Sequence, residues 1–137
     1  MSINQGEHTF EQEVLISGEE IMGFTADSAL TLREPVGISG DMAVDSSSAG
    51  EGDFYGVVLY DVASGEEVAV AGANTEVWVE VSEAVSAGDE LLPDGNGTFE
   101  SVATSAGSNG VLLAETGSSG SGELVRAEVL SAQGATA

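Results

Sequence analysis

His8 is the only imidazole in the chain, and cysteine and lysine are absent. This inventory limits the available chemistry. A Ser-His-acid triad would need His8, in "GEHTFEQ", to be folded into a cleft beside a serine. Its place in an end segment reads instead as an exposed residue. A zinc centre needs three or four His, Cys or carboxylate ligands, and His8 has no companions nearby in sequence. Without lysine there is no Schiff base and no phosphate-loop lysine. Paired carboxylates such as Glu19-Glu20 and Glu66-Glu67 have the composition of a glycosidase pair, but with 24 acids in the chain adjacency carries little information. "PDGNGTFE" looks faintly like a calcium loop, yet it lacks the regular alternate ligands and the twelfth-position Glu of an EF-hand; it reads as a turn. The expectation is a protein that is not an enzyme, with no catalytic residues, no cofactor and no metal site.

The charge balance narrows the partners. Two basic residues, Arg33 and Arg126, face 24 acids, for a formal net charge of -22. Nucleic acid is excluded as a partner, because that affinity comes largely from Lys and Arg neutralising phosphates. An anionic membrane surface would repel the chain, and no apolar run approaches the roughly 20 residues of a spanning helix. The start, "MSINQGEHTFEQ", lacks the basic and apolar regions of a secretory signal. Disordered acidic chains are poor in apolar residues; here hydrophobic residues make up 42% and mean hydropathy is +0.12, which supports a folded core. The acids then form a self-repelling skin. At about 1 M salt the Debye length falls to about 3 Å and silences most of that repulsion. Absent lysine, abundant acid and small Ala, Gly and Val in place of aromatics read as adaptation to molar salt.

Along the chain, short apolar alternations separated by Gly, Ser, Asp and Asn give a β signal. The clearest is "EVWVEV" (76–81), with Val77, Val79 and Val81 on one face and Trp78 and Glu80 on the other. In "LVRAEVL" (124–130), Val125, Ala127 and Val129 oppose Arg126 and Glu128. "EVAVA" (67–71) aligns Val68 with Val70. "YGVVLY" (55–60) and "NGVLLAE" (109–115) are continuously apolar, as for strands buried on both faces. "ALTL" (29–32), "MAV" (42–44), "ELL" (90–92) and "TFESV" (98–102) are weaker candidates. Asp94-Gly95 and Asn96-Gly97 predict tight turns, while "DSSSAGEGD" (45–53) and "TGSSGSGE" (116–123) predict polar loops. Three parts follow: an N-terminal arm over 1–24, helical or extended; one β domain over 25–130; and a flexible tail over 131–137.

A repeat runs through the β region. "GVVLYDVASGEEVAV" (56–70) is echoed by "GVLLAETGSSGSGELVRAEV" (110–129), with Gly56 and Gly110 offset by 54. "SGDMAVD" (39–45) is echoed by "AGDELLPD" (87–94), with Gly40 and Gly88 offset by 48. Two related strand-turn-strand halves predict an all-β fold, a small β-barrel or a β-sandwich. Val57, Leu59, Val68 and Val70 are core candidates; Asp61, Glu66 and Glu67 belong to the acidic skin. With catalysis set aside, exposed apolar residues are the remaining route to function. Trp78 shares a face with Glu80 and either caps the core or anchors a protein interface, where Trp is enriched. Phe10, Val14, Leu15 and Ile16 precede the β region and would cover an open sheet edge, their own or a neighbour's. These five are the candidate interface contacts.

The order of "SGD", a short strand, "YGVVLYDVASGEEVAVA", "VSAGDELLPDGNGTFE", "GVLLAE" and "LVRAEVL", from about Pro35 to Leu130, resembles the capsid decoration, or cement, proteins of tailed bacteriophages and archaeal tailed viruses, including those of haloarchaea. The resemblance implies a β-rich homotrimer on the outer surface of an icosahedral virion, assembled in the host cytoplasm, with the major capsid protein as partner and no catalytic residues. The chain departs from that pattern in its acidity, which fits a halophilic host, and in its longer lead-in "EHTFEQEVLISGEEIMGF". The alternative is another halophilic β interaction module: a tail-fibre, surface-layer or carbohydrate-binding domain.

Overall fold

The computed structural model describes residues 14–16, 21–50, 53–104 and 109–130. Every regular element among them is a strand: β1 (Val14–Ile16), β2 (Ile21–Ala26), β3 (Pro35–Gly40), β4 (Ala43–Ser46), β5 (Gly56–Val58), β6 (Glu67–Ala71), β7 (Glu76–Val81), β8 (Glu90–Pro93), β9 (Phe99–Ser101), β10 (Leu112–Ala114) and β11 (Glu123–Val129). The chain is all-β and contains a closed barrel. Among the described residues no helix is long and apolar enough to cross a membrane.

Each half of the chain closes on itself. The first ring runs β2-β4-β3-β5-β6, with β6 returning to β2. The second runs β7-β11-β10-β8-β9, and a bridge between Val81 and Phe99 joins β9 back to β7. The strand connectivity is the same in both. First and third strands pair parallel, and every other neighbour is antiparallel. Closure leaves few open backbone edges, which is how small all-β units avoid sticking to one another.

Equivalent hydrogen bonds set the correspondence between the rings. The bridge Leu30–Val62 matches Val85–Ser118. Asp27 N–H donates to Val44 O as Ser82 N–H donates to Phe99 O. Leu59 N–H donates to Ala69 O as Glu115 N–H donates to Arg126 O. The offset is therefore 55 through the third strand, 56 at the fourth and 57 at the fifth. Two related halves are present, but in a different register from the sequence echo. Gly56 matches Leu112 rather than Gly110, and Gly88-Asp89 matches Arg33-Glu34 rather than Gly40-Asp41. Arg33 N–H donates to Val58 O at 2.8 Å and Gly88 N–H to Ala114 O at 2.7 Å. Both residues hold positive φ, 74° and 95°, so glycine marks this turn in one half only. The other echo slipped by two residues, which keeps every side chain on the same face of a strand and leaves the apolar pattern unchanged.

The strand faces follow the alternation. Val77, Val79, Val81, Val125, Ala127 and Val129 are all buried, as are Val68 and Val70. Burial of each such valine contributes about 1.5–3 kcal/mol. Three local differences from the sequence reading stand out. "ALTL" supplies only the isolated bridge at Leu30. Residues 21–24, read as the end of the arm, open β2. β3 begins on Pro35, a tolerated first-strand position, and contains Gly37, where a Cβ would lie 2.0 Å from Asp53 O. Only glycine admits that approach, so the residue that looks like a strand breaker is what lets the 53–54 segment lie against the ring. The tail over 131–137 lies outside the described residues.

Candidate interaction surface

The two rings differ most on their outer walls. Val58 and Val70 face into the first ring, while Val57, Leu59 and Ala71, one residue out of phase, pack with the core of the second. Phe54 joins them and meets Phe99 edge-on, with ring centroids 6.0 Å apart. Gly50 N–H donates to Pro93 O at 2.9 Å. The wall of the first ring, with Gly50 and Phe54, therefore covers the second ring at Phe99 and Pro93. In the second ring the equivalents of Val57, Leu59, Ala69 and Ala71 are Leu113, Glu115, Arg126 and Glu128. Three of these four are charged, and all four are half-buried.

Arg126 organises that wall. Its Nη2 donates to Glu76 Oε1 at 2.7 Å and its Nε to Glu115 Oε1 at 2.9 Å. Burial pushes the Glu115 carboxyl up, the neighbouring Glu76 carboxylate pushes the same way, and Arg126 opposes both. The hydrogen bond to Glu76 holds the guanidinium above its ordinary range. Solvent screens pairs this exposed, so their net contribution to stability is small. Trp78 lies opposite Arg126 across β7 and β11 and is half-buried. β1 pairs with the start of β7, Val14 opposite Val77 and Ile16 opposite Glu76. Val14, Leu15, Ile16 and Trp78 are thus brought to one strand, on the edge of the second ring. Phe10 and His8 lie outside the described residues.

Acids elsewhere are tied into turns. Burial pulls the Asp53 carboxyl upward, but hydrogen bonds from Ser47 Oγ at 2.8 Å, and from Ser48 N–H and Oγ, leave it below the ordinary carboxylate range. Asp94 behaves likewise: against burial, the Thr98 hydroxyl and Asn96 N–H at 2.8 Å hold it low. Gly95 and Gly97 in this turn both hold φ of 89°, as the tight-turn reading predicts. A shallow polar cleft between the rings is lined by Thr31, Glu34, Glu80, Asn96 and Thr98. Glu34 is already engaged there, accepting from Thr31 N–H and Ser46 Oγ. Among the described residues no group of three His, Cys, Asp or Glu is arranged to hold a metal ion.

One end of the first ring is open among the described residues. Met22 is 43% exposed and Ile38 51%, although Met22 shares the inward face of β2 with Phe24, and Ile38 lies opposite the buried Val44. Their counterparts in the second ring, Val77 and Pro93, are buried. The sequence reading missed this patch because it placed residues 21–24 in the arm; the period-2 spacing of Met22, Phe24 and Ala26 was the available signal.

No family model matches the chain, and no curated protein does. Among the solved structures it is similar to the crystal structure of head fiber gp8.5 N base in bacteriophage phi29. The two share 19% identity over 80% of this chain and 92% of that one, with a TM-score of 0.62. At that identity the likeness is one of fold.

Proposed function

We propose that the protein is a non-enzymatic virion structural protein that decorates the outer surface of an icosahedral capsid, bridges major capsid subunits as a homotrimer, and is adapted to high salt. The observation that carries this reading is the shared fold with a phage head fiber base, which spans nearly all of that chain. The residue pattern from Pro35 to Leu130, similar to capsid decoration proteins, points the same way. The action is mechanical. A trimer engaging several subunits links weak contacts into large avidity and opposes pressure from packaged DNA. Its acidic skin keeps particles dispersed, and molar salt lets neighbouring acidic trimers pack.

Particles purified from the source virus test the location. The protein is expected in a fixed ratio to the major capsid protein, and brief protease treatment of intact particles should remove it while the DNA stays packaged. Recovery only from the soluble fraction of infected cells would contradict the reading.

A further inference from the structure

We propose that the outer face of β7 and β11, centred on Trp78 and Leu124, is a docking surface for a separate protein whose contacting segment carries Lys or Arg between aliphatic side chains. The internal duplication points to this face. Its register is the same in both rings: Gly23 lies opposite Ala69 and Thr25 opposite Glu67, as Trp78 lies opposite Arg126 and Glu80 opposite Leu124. In the first ring this face is an interface already, because Val57, Leu59 and Ala71 pack into the core of the second ring. Gly23 and Glu67 are exposed there. The second ring inverts the pattern. Charged groups stand at the counterparts of Leu59 and Ala71, and large apolar groups stand at the counterparts of Gly23 and Glu67. Neither core contains Trp78 or Leu124, and Leu124 is 43% exposed. The first ring forms the same pair of strands with Gly23 and Glu67, so strand formation does not require a Trp and a Leu at these positions. A Trp beside exposed aliphatic surface is the composition of an interface anchor.

Charge selects the occupant. Glu76, Glu80, Glu115 and Glu128 share this face with Arg126, which is already committed to Glu76 and Glu115 at 2.7 and 2.9 Å. A partner that lays apolar groups on Trp78 and Leu124 therefore brings its flanking groups against carboxylates. A second copy of the chain is a poor complement. Stacked face to face about a two-fold axis, it sets the same four carboxylates against these four. Turned any other way, it offers Arg33 as its one further arginine, no lysine, and 24 acids. Like charges forced together and desolvated cost more than the apolar contact returns. Nucleic acid and anionic lipid present phosphates and fail for the same reason. A protein segment with Lys or Arg among aliphatic residues meets both halves of the surface. At about 1 M salt the Debye length is about 3 Å, so only charges in direct contact count. The apolar groups then supply affinity, and the contact pairs choose the partner. The proposal deepens the decoration reading and rests on it for the partner's identity, the major capsid protein.

Trp78 is the only tryptophan, so its emission reports on this face directly. A blocked peptide of alternating Lys and Leu, titrated in about 1 M KCl, is expected to shift that emission to shorter wavelength and to saturate. A blocked peptide of alternating Glu and Leu should leave it unchanged. Leu124→Glu and Glu80→Lys should each weaken the Lys-Leu peptide at least about tenfold. Asp41→Lys makes the same charge change in the turn between β3 and β4 and should stay within about twofold of the parent chain. No saturable shift, or equal binding by all three folded variants, would overturn the proposal. Co-sedimentation of the same four proteins with expanded capsids of the source virus separates the surface from the decoration reading. Loss of binding in Leu124→Glu and Glu80→Lys alone supports both. Equal binding of all four puts the capsid contact elsewhere, which overturns the proposal and leaves decoration standing. A parent chain that binds the Lys-Leu peptide but no capsid keeps the surface and overturns decoration.

Discussion

Met42 and Gly97 occupy the same turn position in the two rings, with φ of 51° and 89°. A side chain at positive φ is strained by about 1 kcal/mol. Met42 is 55% exposed, so its removal sacrifices little packing. Met42→Gly is expected to raise stability by about 0.5–1 kcal/mol in urea unfolding, and Gly97→Ala to lower it by about 1 kcal/mol. Asp94 gives a pH test. Its folded pKa is depressed, so the carboxylate stabilises the fold above the unfolded value near 3.9, and that contribution is lost as pH falls through the lower folded value. Asp94→Asn should cost about 1 kcal/mol at pH 7. The gap to the parent chain should close below about pH 4. Glu115 has the opposite sign: with its folded pKa raised, its ionisation opposes folding, and protonation relieves that cost. At this scale the sequence was informative wherever a residue type fixes a conformation, as at Asp94-Gly95 and Asn96-Gly97. It was silent at Arg33 and Met42, where tertiary context imposes a glycine-like backbone on other residues.

Among the elements, the wall formed by β5 and β6 does two jobs at once: Val58 and Val70 fill one ring while Val57, Leu59 and Ala71 seal the other. That dual burial is why "GVVLY" is continuously apolar. Its counterpart in the second ring alternates with Glu115, Arg126 and Glu128. Phe54→Ala should therefore cost about 3–5 kcal/mol, since it empties the join between the rings. Ala71→Glu, which copies the second ring's own residue into the buried wall, should prevent folding of the join. Urea unfolding monitored at Trp78 reads both. The alternating strands β6, β7 and β11 were legible because one face is wet. The first ring's opening strands were not. β2 reads as part of an acidic lead-in, and β3 carries a proline and two glycines that the approach of Asp53 and the turn to β4 explain only in three dimensions. The duplication itself was visible, but its register was not, because a two-residue slip leaves the inside-outside pattern intact. Of the candidate contacts, Val14–Ile16 and Trp78 converge on β7, a proximity that strand pairing sets and spacing does not reveal.

For the whole molecule, net charge dominates. A chain at -22, in which Arg126 pairs with Glu76 and Glu115, is held together against its own repulsion. Raising KCl from about 0.1 M to about 3 M shortens the Debye length several-fold. It should raise the unfolding midpoint markedly, whereas an unchanged midpoint would contradict salt adaptation. The central claim is that this acidic double ring is built to sit on a capsid. Co-sedimentation with expanded capsids that lack it, made from the major capsid protein of the same virus and held in about 2 M KCl to screen the acidic surface, tests that directly. The account predicts saturable binding in a fixed ratio to the major capsid protein, with capsids that resist heat and mechanical rupture better once bound. Folded protein left in the supernatant at every concentration would contradict it.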